Sequence, residues 1–207
     1  MKQRTLAIDC ATEACSVALF DDGRLVAGEY RVLGRGHAER LVPMIAALPD
    51  QGKAGRIMVA RGPGSFTGAR IGIATARALA YAWEAEASGY STLALVAAMA
   101  RDRHGAQTVL VCMTGGHGEV LVQRFAPDGM PLTTPASLPL DMAATRHATL
   151  LVAGSQAQAL VAARAAGGTA CNILPDARCA MLLPPALLAD DTTPIYARPP
   201  DARVKGA

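Results

Sequence analysis

The chain has 207 residues, 51% of them apolar but only 4% aromatic, and carries a formal net charge of +3. Its Lys and Arg residues are scattered, with no basic run and no aromatic–basic interleaving, which excludes a chain that grips tRNA or duplex on its own through ~6–10 phosphates. No apolar run approaches ~18 residues without a charge, Gly or Pro, which excludes a membrane helix. Residues 1–4 lead straight into a strand pattern and not into a signal h-region. Cys10, Cys15, Cys112, Cys171 and Cys179 form no C-x-x-C pair and have no His at zinc-finger spacing. Most of them read as small buried hydrophobes, which fits a reducing cytoplasm.

Residues 5–8 and 16–20 have buried-strand patterns, the first ending at Asp9. Asp21-Asp22-Gly23 is a hairpin turn signal, and residues 25–31 alternate as a third strand. Residues 36–48 form a helix with Leu41, Met44, Ile45 and Leu48 on one stripe and Pro43 within it. Residues 57–60 give a strand that a helical crossover makes parallel to the first. A glycine-rich turn follows, then an apolar helix to Trp83, in which Gly68, Gly72, Ala76 and Ala80 recur every four residues. That smooth ridge suits close approach, either by the sheet of its own domain or by a helix of another subunit. Residues 88–90 are a short strand, and Ser91 caps a helix to about Arg103.

The second half restarts the pattern. Strands are expected at 108–113, 118–125 and 149–153, with a turn at Pro127-Asp128-Gly129. A capped Ala-rich helix spans 155–166, a short strand lies at Ile173-Leu174, and a helix over 179–188 is broken at Pro184-Pro185. A hairpin-first α/β order occurring twice suggests two tandem subdomains, 1–103 and 104–207, though no sequence repeat is visible.

The turn Arg61-Gly62-Pro63-Gly64-Ser65-Phe66-Thr67-Gly68 joins strand to helix, with Ser65 or Thr67 available to cap the helix. Its amides could face an anion, so Asp9, Gly62, Gly64, Ser65, Thr67 and Gly68 are candidate phosphate-loop residues. The loop lacks the Lys-Ser/Thr of a Walker A motif. Pro63 and Thr67 also stand where a nucleophile elbow around Ser65 needs glycines. His104, His117 and His147 lack acid or Cys partners nearby in sequence and read as exposed.

As a string, this turn followed by Arg70-Ile71-Gly72 resembles the GRGPGSFTGxRIG signature of the bacterial TsaB family, also called YeaZ. Three segments extend the resemblance: AIDCATEACSVAL from Ala7 to Leu19, Gly36-His37-Ala38-Glu39-Arg40-Leu41-Val42-Pro43-Met44-Ile45, and Pro194-Ile195-Tyr196-Ala197-Arg198. The resemblance implies the actin-like, Hsp70-like (ASKHA) nucleotidase fold, an α/β fold with two tandem subdomains built on mixed sheets. In that fold Asp9 ends the first strand, where ATPases use an acid near phosphate and metal; its other reading is a turn-forming Asp bound to nearby amides.

The resemblance also implies what is missing. The catalytic relatives, the TsaD family, carry H-x-E-x-H on the first helix, whereas here His37 and Glu39 are followed by Leu41, which cannot ligate a metal. His37 alone reads as a surface or capping residue. Relatives show I-D-A-R before G-E-V, and here Met113-Thr114-Gly115-Gly116 precedes Gly118-Glu119-Val120. The implied role is a non-catalytic subunit with no metal and no cofactor of its own. It pairs with TsaD and works with the ATPase TsaE to move a threonylcarbamoyl group onto adenosine 37 of tRNA, with ATP or ADP belonging to the assembled complex. Carried over, Leu41, Met44, Ile45, Leu48, Ile71, Gly72, Thr75, Ala76 and Leu79 are the expected contact residues for TsaD, or for a homodimer without it. The rival reading is a stand-alone actin-like ATPase or small-molecule kinase that uses Asp9 and the glycine turn. The basic end, Arg198, Arg203 and Lys205, reads as a solvated tail.

Overall fold

A computed structural model describes residues 4–146 and 151–197. Expectations at His147, Thr149, Arg198, Arg203 and Lys205 lie outside the described residues. The chain opens with β1 (Arg4–Asp9), β2 (Ala14–Asp21) and β3 (Arg24–Val32), all antiparallel neighbours. The two-residue turn between β2 and β3 puts Asp22 at φ 46° and Gly23 at φ 77°, the left-handed pair that a twisted hairpin needs. After α1 (His37–Ala46), β4 (Arg56–Ala60) lies parallel to β1; after α2 (Phe66–Trp83), β5 (Glu86–Tyr90) lies parallel to β4. The first sheet therefore runs β3-β2-β1-β4-β5.

The second half repeats that wiring. β6 (Val109–Thr114), β7 (Val120–Phe125) and β8 (Ala136–Leu138) are antiparallel neighbours, and β9 (Leu151–Ala153) and β10 (Thr169–Cys171) add in parallel beyond β6. The sheet order is β8-β7-β6-β9-β10, the first sheet's order with new labels. Its crossover helices are shorter: α4 (Leu140–Arg146) and α5 (Ala157–Ala162) replace the ten and eighteen residues of α1 and α2.

The layers follow from strand alternation. Leu6, Ile8, Val17 and Leu19 face one way and pack under Leu41, Met44, Ile45, Ile73 and Ala76 of α1 and α2. Ala7, Ala18 and Phe20 face the other way, into a core shared with the second sheet's Val109, Val111 and Phe125. α3 (Thr92–His104) fills that shared layer, buried from Thr92 through Ala100; a helix apolar around its whole girth must be enclosed. Ser91 caps it, accepting from Ala94 N. Beyond the second sheet, Ala143, Ala157 and Leu160 cover Leu110, Val122 and Val152.

Two expectations fail in the second half, and two short elements go unread. β8 and α4 carry too short a pattern to be read from sequence. The last strand is Thr169–Cys171 and not Ile173-Leu174; Ile173 instead enters the shared core as irregular chain. The helix expected over 179–188 is two 3-10 segments, Ala177–Leu182 and Pro185–Leu187, because Pro184 and Pro185 cannot continue a hydrogen-bonded α-turn.

Candidate functional site

The glycine turn sits where β4 ends and α2 begins. Ser65 is the N-cap: its hydroxyl accepts from Gly68 N at 3.1 Å. The turn is closed against the chain's own β1–β2 connection. Ser65 N donates to Ala11 O at 2.7 Å, and Thr92 N donates to Gly62 O at 2.9 Å. A Cβ on Gly64 would lie 2.0 Å from Ala11 O, and one on Gly68 would lie 2.0 Å from Cys10 O. These glycines admit the chain's own carbonyl oxygens where a phosphate cradle would present amides to a ligand.

Asp9 is fully buried at the end of β1. Its Oδ1 accepts from Ala11 N at 3.0 Å, the turn-forming role. Its Oδ2 is buried without a hydrogen-bond partner, while the neighbouring Tyr90 hydroxyl donates to Ile8 O at 3.0 Å. Burial raises the Asp9 pKa to about 7. A cavity of about 500 Å³ does lie between the two lobes, walled by Glu13, Tyr30, Arg103, Ser155, Asn172 and Asp176 among others, but neither Asp9 nor any residue of 62–68 lines it. On its rim Arg178 is tied to Asp176, with Nε 3.0 Å from both carboxylate oxygens. In the second lobe Thr114 ends β6 as Asp9 ends β1, and it bonds Ser155 Oγ through both its amide and its hydroxyl. Among the described residues, no group of three or more His, Cys, Asp or Glu is placed to hold a metal, and no helix is long and apolar enough to cross a membrane.

His37 is not a surface residue. It opens α1 buried, with Nε2 3.3 Å from Ala14 O, because the helix start is pressed onto β2. The expected contact residues also need correction. Leu41, Met44, Ile45, Leu48, Gly72 and Ala76 are buried in this chain's own core, so they present no docking surface. A Cβ on Gly72 would make ordinary contact, at 3.6–3.8 Å, with Cys10, Val59 and Ile8; the small-residue ridge faces the chain's own sheet. Ile71, Thr75 and Leu79 remain partly exposed.

Sequence reading missed the opposite face of α2. Phe66, Arg70, Ala74, Arg77 and Tyr81 are spaced four, four, three and four residues apart and share one exposed helix face. Phe66 is 54% exposed and Tyr81 90% exposed. The segment 189–197 is strapped along this helix. Ile195 N donates to Arg61 O at 2.8 Å, Arg61 pairs with Asp191 at 3.0 Å, Arg77 Nε donates to Thr192 Oγ1 at 2.7 Å, and Arg70 Nη2 donates to Tyr196 Oη at 3.0 Å. Arg70 also lies 3.5 Å over the Phe66 ring. The signal was available as Arg and aromatic residues at helical spacing with no acid between Phe66 and Trp83.

Two sheets with the same hairpin-then-crossover wiring, joined through one shared layer, define an actin-like α/β protein. The family model described as TsaD, tRNA N6-adenosine threonylcarbamoyltransferase, matches residues 31–168. A crystal structure from Pseudomonas aeruginosa, described as an uncharacterized protein with similarity to peptidase YEAZ, is 30% identical with a TM-score of 0.79; the match covers 95% of this chain and 100% of that one. The Escherichia coli tRNA threonylcarbamoyladenosine biosynthesis protein TsaB is 42% identical over 130 residues, 60% of this chain and 56% of its own length. The Haemophilus influenzae protein of the same name is 35% identical over 56% of this chain and 50% of its own length. The matched stretches thus span about half the length of these two relatives. The chain belongs to the TsaB (YeaZ) family.

Proposed function

We propose that this chain is a non-catalytic subunit in the biosynthesis of threonylcarbamoyladenosine on tRNA, working in the cytoplasm by pairing with TsaD and assisted by TsaE. Residues 1–103 carry the pairing helices, and residues 104–207 form the shortened lobe. The names of the relatives support the pathway. The observation that carries the subunit role is a contrast within one helix. The N-terminal turn of α2 is closed on the chain's own backbone, while its outward face leaves Tyr81 in solvent and Phe66 half-exposed between Arg70 and Tyr196. Aromatic and Arg anchors of this kind concentrate binding energy in protein interfaces. Ile71, Thr75 and Leu79 flank that face. Without TsaD the same face pairs two copies of the chain, and any ATP or ADP is held by the assembled complex.

Calorimetric titration of TsaD with the wild-type chain and with a Phe66→Ala/Tyr81→Ala variant tests the reading. Loss of two anchors should weaken pairing by at least about 2 kcal/mol, roughly 30-fold. Unchanged affinity would remove α2 from the interface. Titration of the lone chain with Mg-ATP should show no micromolar binding, and binding with turnover would favour the ATPase reading.

A further inference from the structure

The register of β1 and β2 sets up a feature that the pairing role does not use. Asp9 pairs with Ser16 at the end of the ladder, so Cys10 and Cys15 are the next cross-strand pair. Both side chains turn to the face covered by α1 and α2, and both are buried. Their Sγ atoms lie 3.5 Å apart and share a hydrogen bond. Neighbouring antiparallel positions hold Cα atoms about 4.5–5.5 Å apart, within the range a disulfide spans.

We propose that Cys10 and Cys15 are an oxidation site, forming a reversible cross-hairpin disulfide with hydrogen peroxide as the oxidant. The shared hydrogen bond and burial hold the proton on Cys10, and the same hydrogen bond favours the Cys15 thiolate. The Cys15 sulfur attacks one peroxide oxygen, breaking the O–O bond to give a sulfenic acid and hydroxide, which takes up a proton. The Cys10 sulfur then attacks the sulfenic sulfur, and the hydroxyl leaves as water with the Cys10 proton. Two thiols and one hydrogen peroxide thus give one disulfide and two waters. Because both sulfurs are buried, oxidation waits on opening of the turn at residues 11–13 and is slow. Its consequence falls on α2. Cys10 O sits against Gly68, and Cys10 Cβ would contact a Cβ placed on Gly72 at 3.6 Å, so the bridge would lock the backbone on which α2 rests.

One tryptic peptide, residues 5–24, contains both cysteines and no internal Lys or Arg. The folded chain is treated with hydrogen peroxide, its remaining thiols are alkylated, and the peptide is weighed. The expected species is lighter than the dithiol peptide by two hydrogen atoms, carries no alkyl group at either cysteine, and returns to the dithiol on reduction with dithiothreitol. Cys10→Ser, which keeps a donor toward Cys15, should abolish it and leave a Cys15 sulfenic acid that dimedone traps. Full alkylation of Cys10 and Cys15 in the wild-type chain after peroxide overturns the proposal, as does a bridged peptide that forms only in denaturant.

Discussion

Asp9 shows what a buried acid costs a fold. Its carboxyl is enclosed by the β1–β2 turn and Tyr90, and burial raises its pKa to about 7. In the unfolded chain the value is about 4. The folded state therefore binds the proton more tightly: the stability is fully present below pH 4 and is lost as pH rises through 7. At pH 8 the penalty is on the order of 4 kcal/mol. Asp9→Asn keeps the shape and the oxygen that accepts from Ala11 N but carries no charge. Urea unfolding should find it more stable than wild type at pH 8, with the gap closing near pH 4; equal stability at pH 8 would show that Asp9 is solvated. The turn-forming role was legible from Asp at a strand end. The burial was not, because it depends on Tyr90 and on the segment around Asp176, both distant in sequence.

At the scale of one element, α2 shows both the reach and the limit of periodicity. Spacing alone identified the helix and its ridge of small residues. It could not say which neighbour the ridge meets, since a sheet and a foreign helix ask for the same small side chains. The packing separates glycines that look equivalent in sequence. At Gly68 an added methyl meets the Cys10 carbonyl oxygen at 2.0 Å, and backbone cannot step aside. Gly68→Ala should lower stability by about 3 kcal/mol. At Gly72 the same methyl finds ordinary contact distances, so Gly72→Ala should be neutral or gain up to about 1 kcal/mol from helix propensity. Urea midpoints of the two variants check the contrast, and equal losses would mean that the whole ridge is tightly packed. Outward-facing Phe66 and Tyr81 were hidden from a search for apolar stripes, because they belong to a mixed aromatic–Arg face. In the second half, β8, α4 and β10 span three, seven and three residues, too few for a period to register.

At the scale of the molecule, the two lobes share α3 and one apolar layer and are also joined by polar contacts. Ala177 N, in the second half, donates to the buried Ser16 Oγ on β2 at 2.9 Å. Ser16→Ala leaves that amide unsatisfied and should cost about 1–3 kcal/mol. Unfolding should remain a single transition by circular dichroism and by tryptophan fluorescence, since the shared core couples the lobes; two separated transitions would show that they fold independently. Duplicated wiring with shortened second-lobe helices fits the proposed role, in which the first lobe's α2 braces a catalytic partner. The most direct measurement is reconstituted threonylcarbamoylation of adenosine 37 in tRNA, with this chain added to TsaD and TsaE or assayed alone. The account predicts modification only with the partners present, and a marked fall with the Phe66→Ala/Tyr81→Ala chain. Modification of tRNA or steady ATP turnover by this chain alone would contradict it.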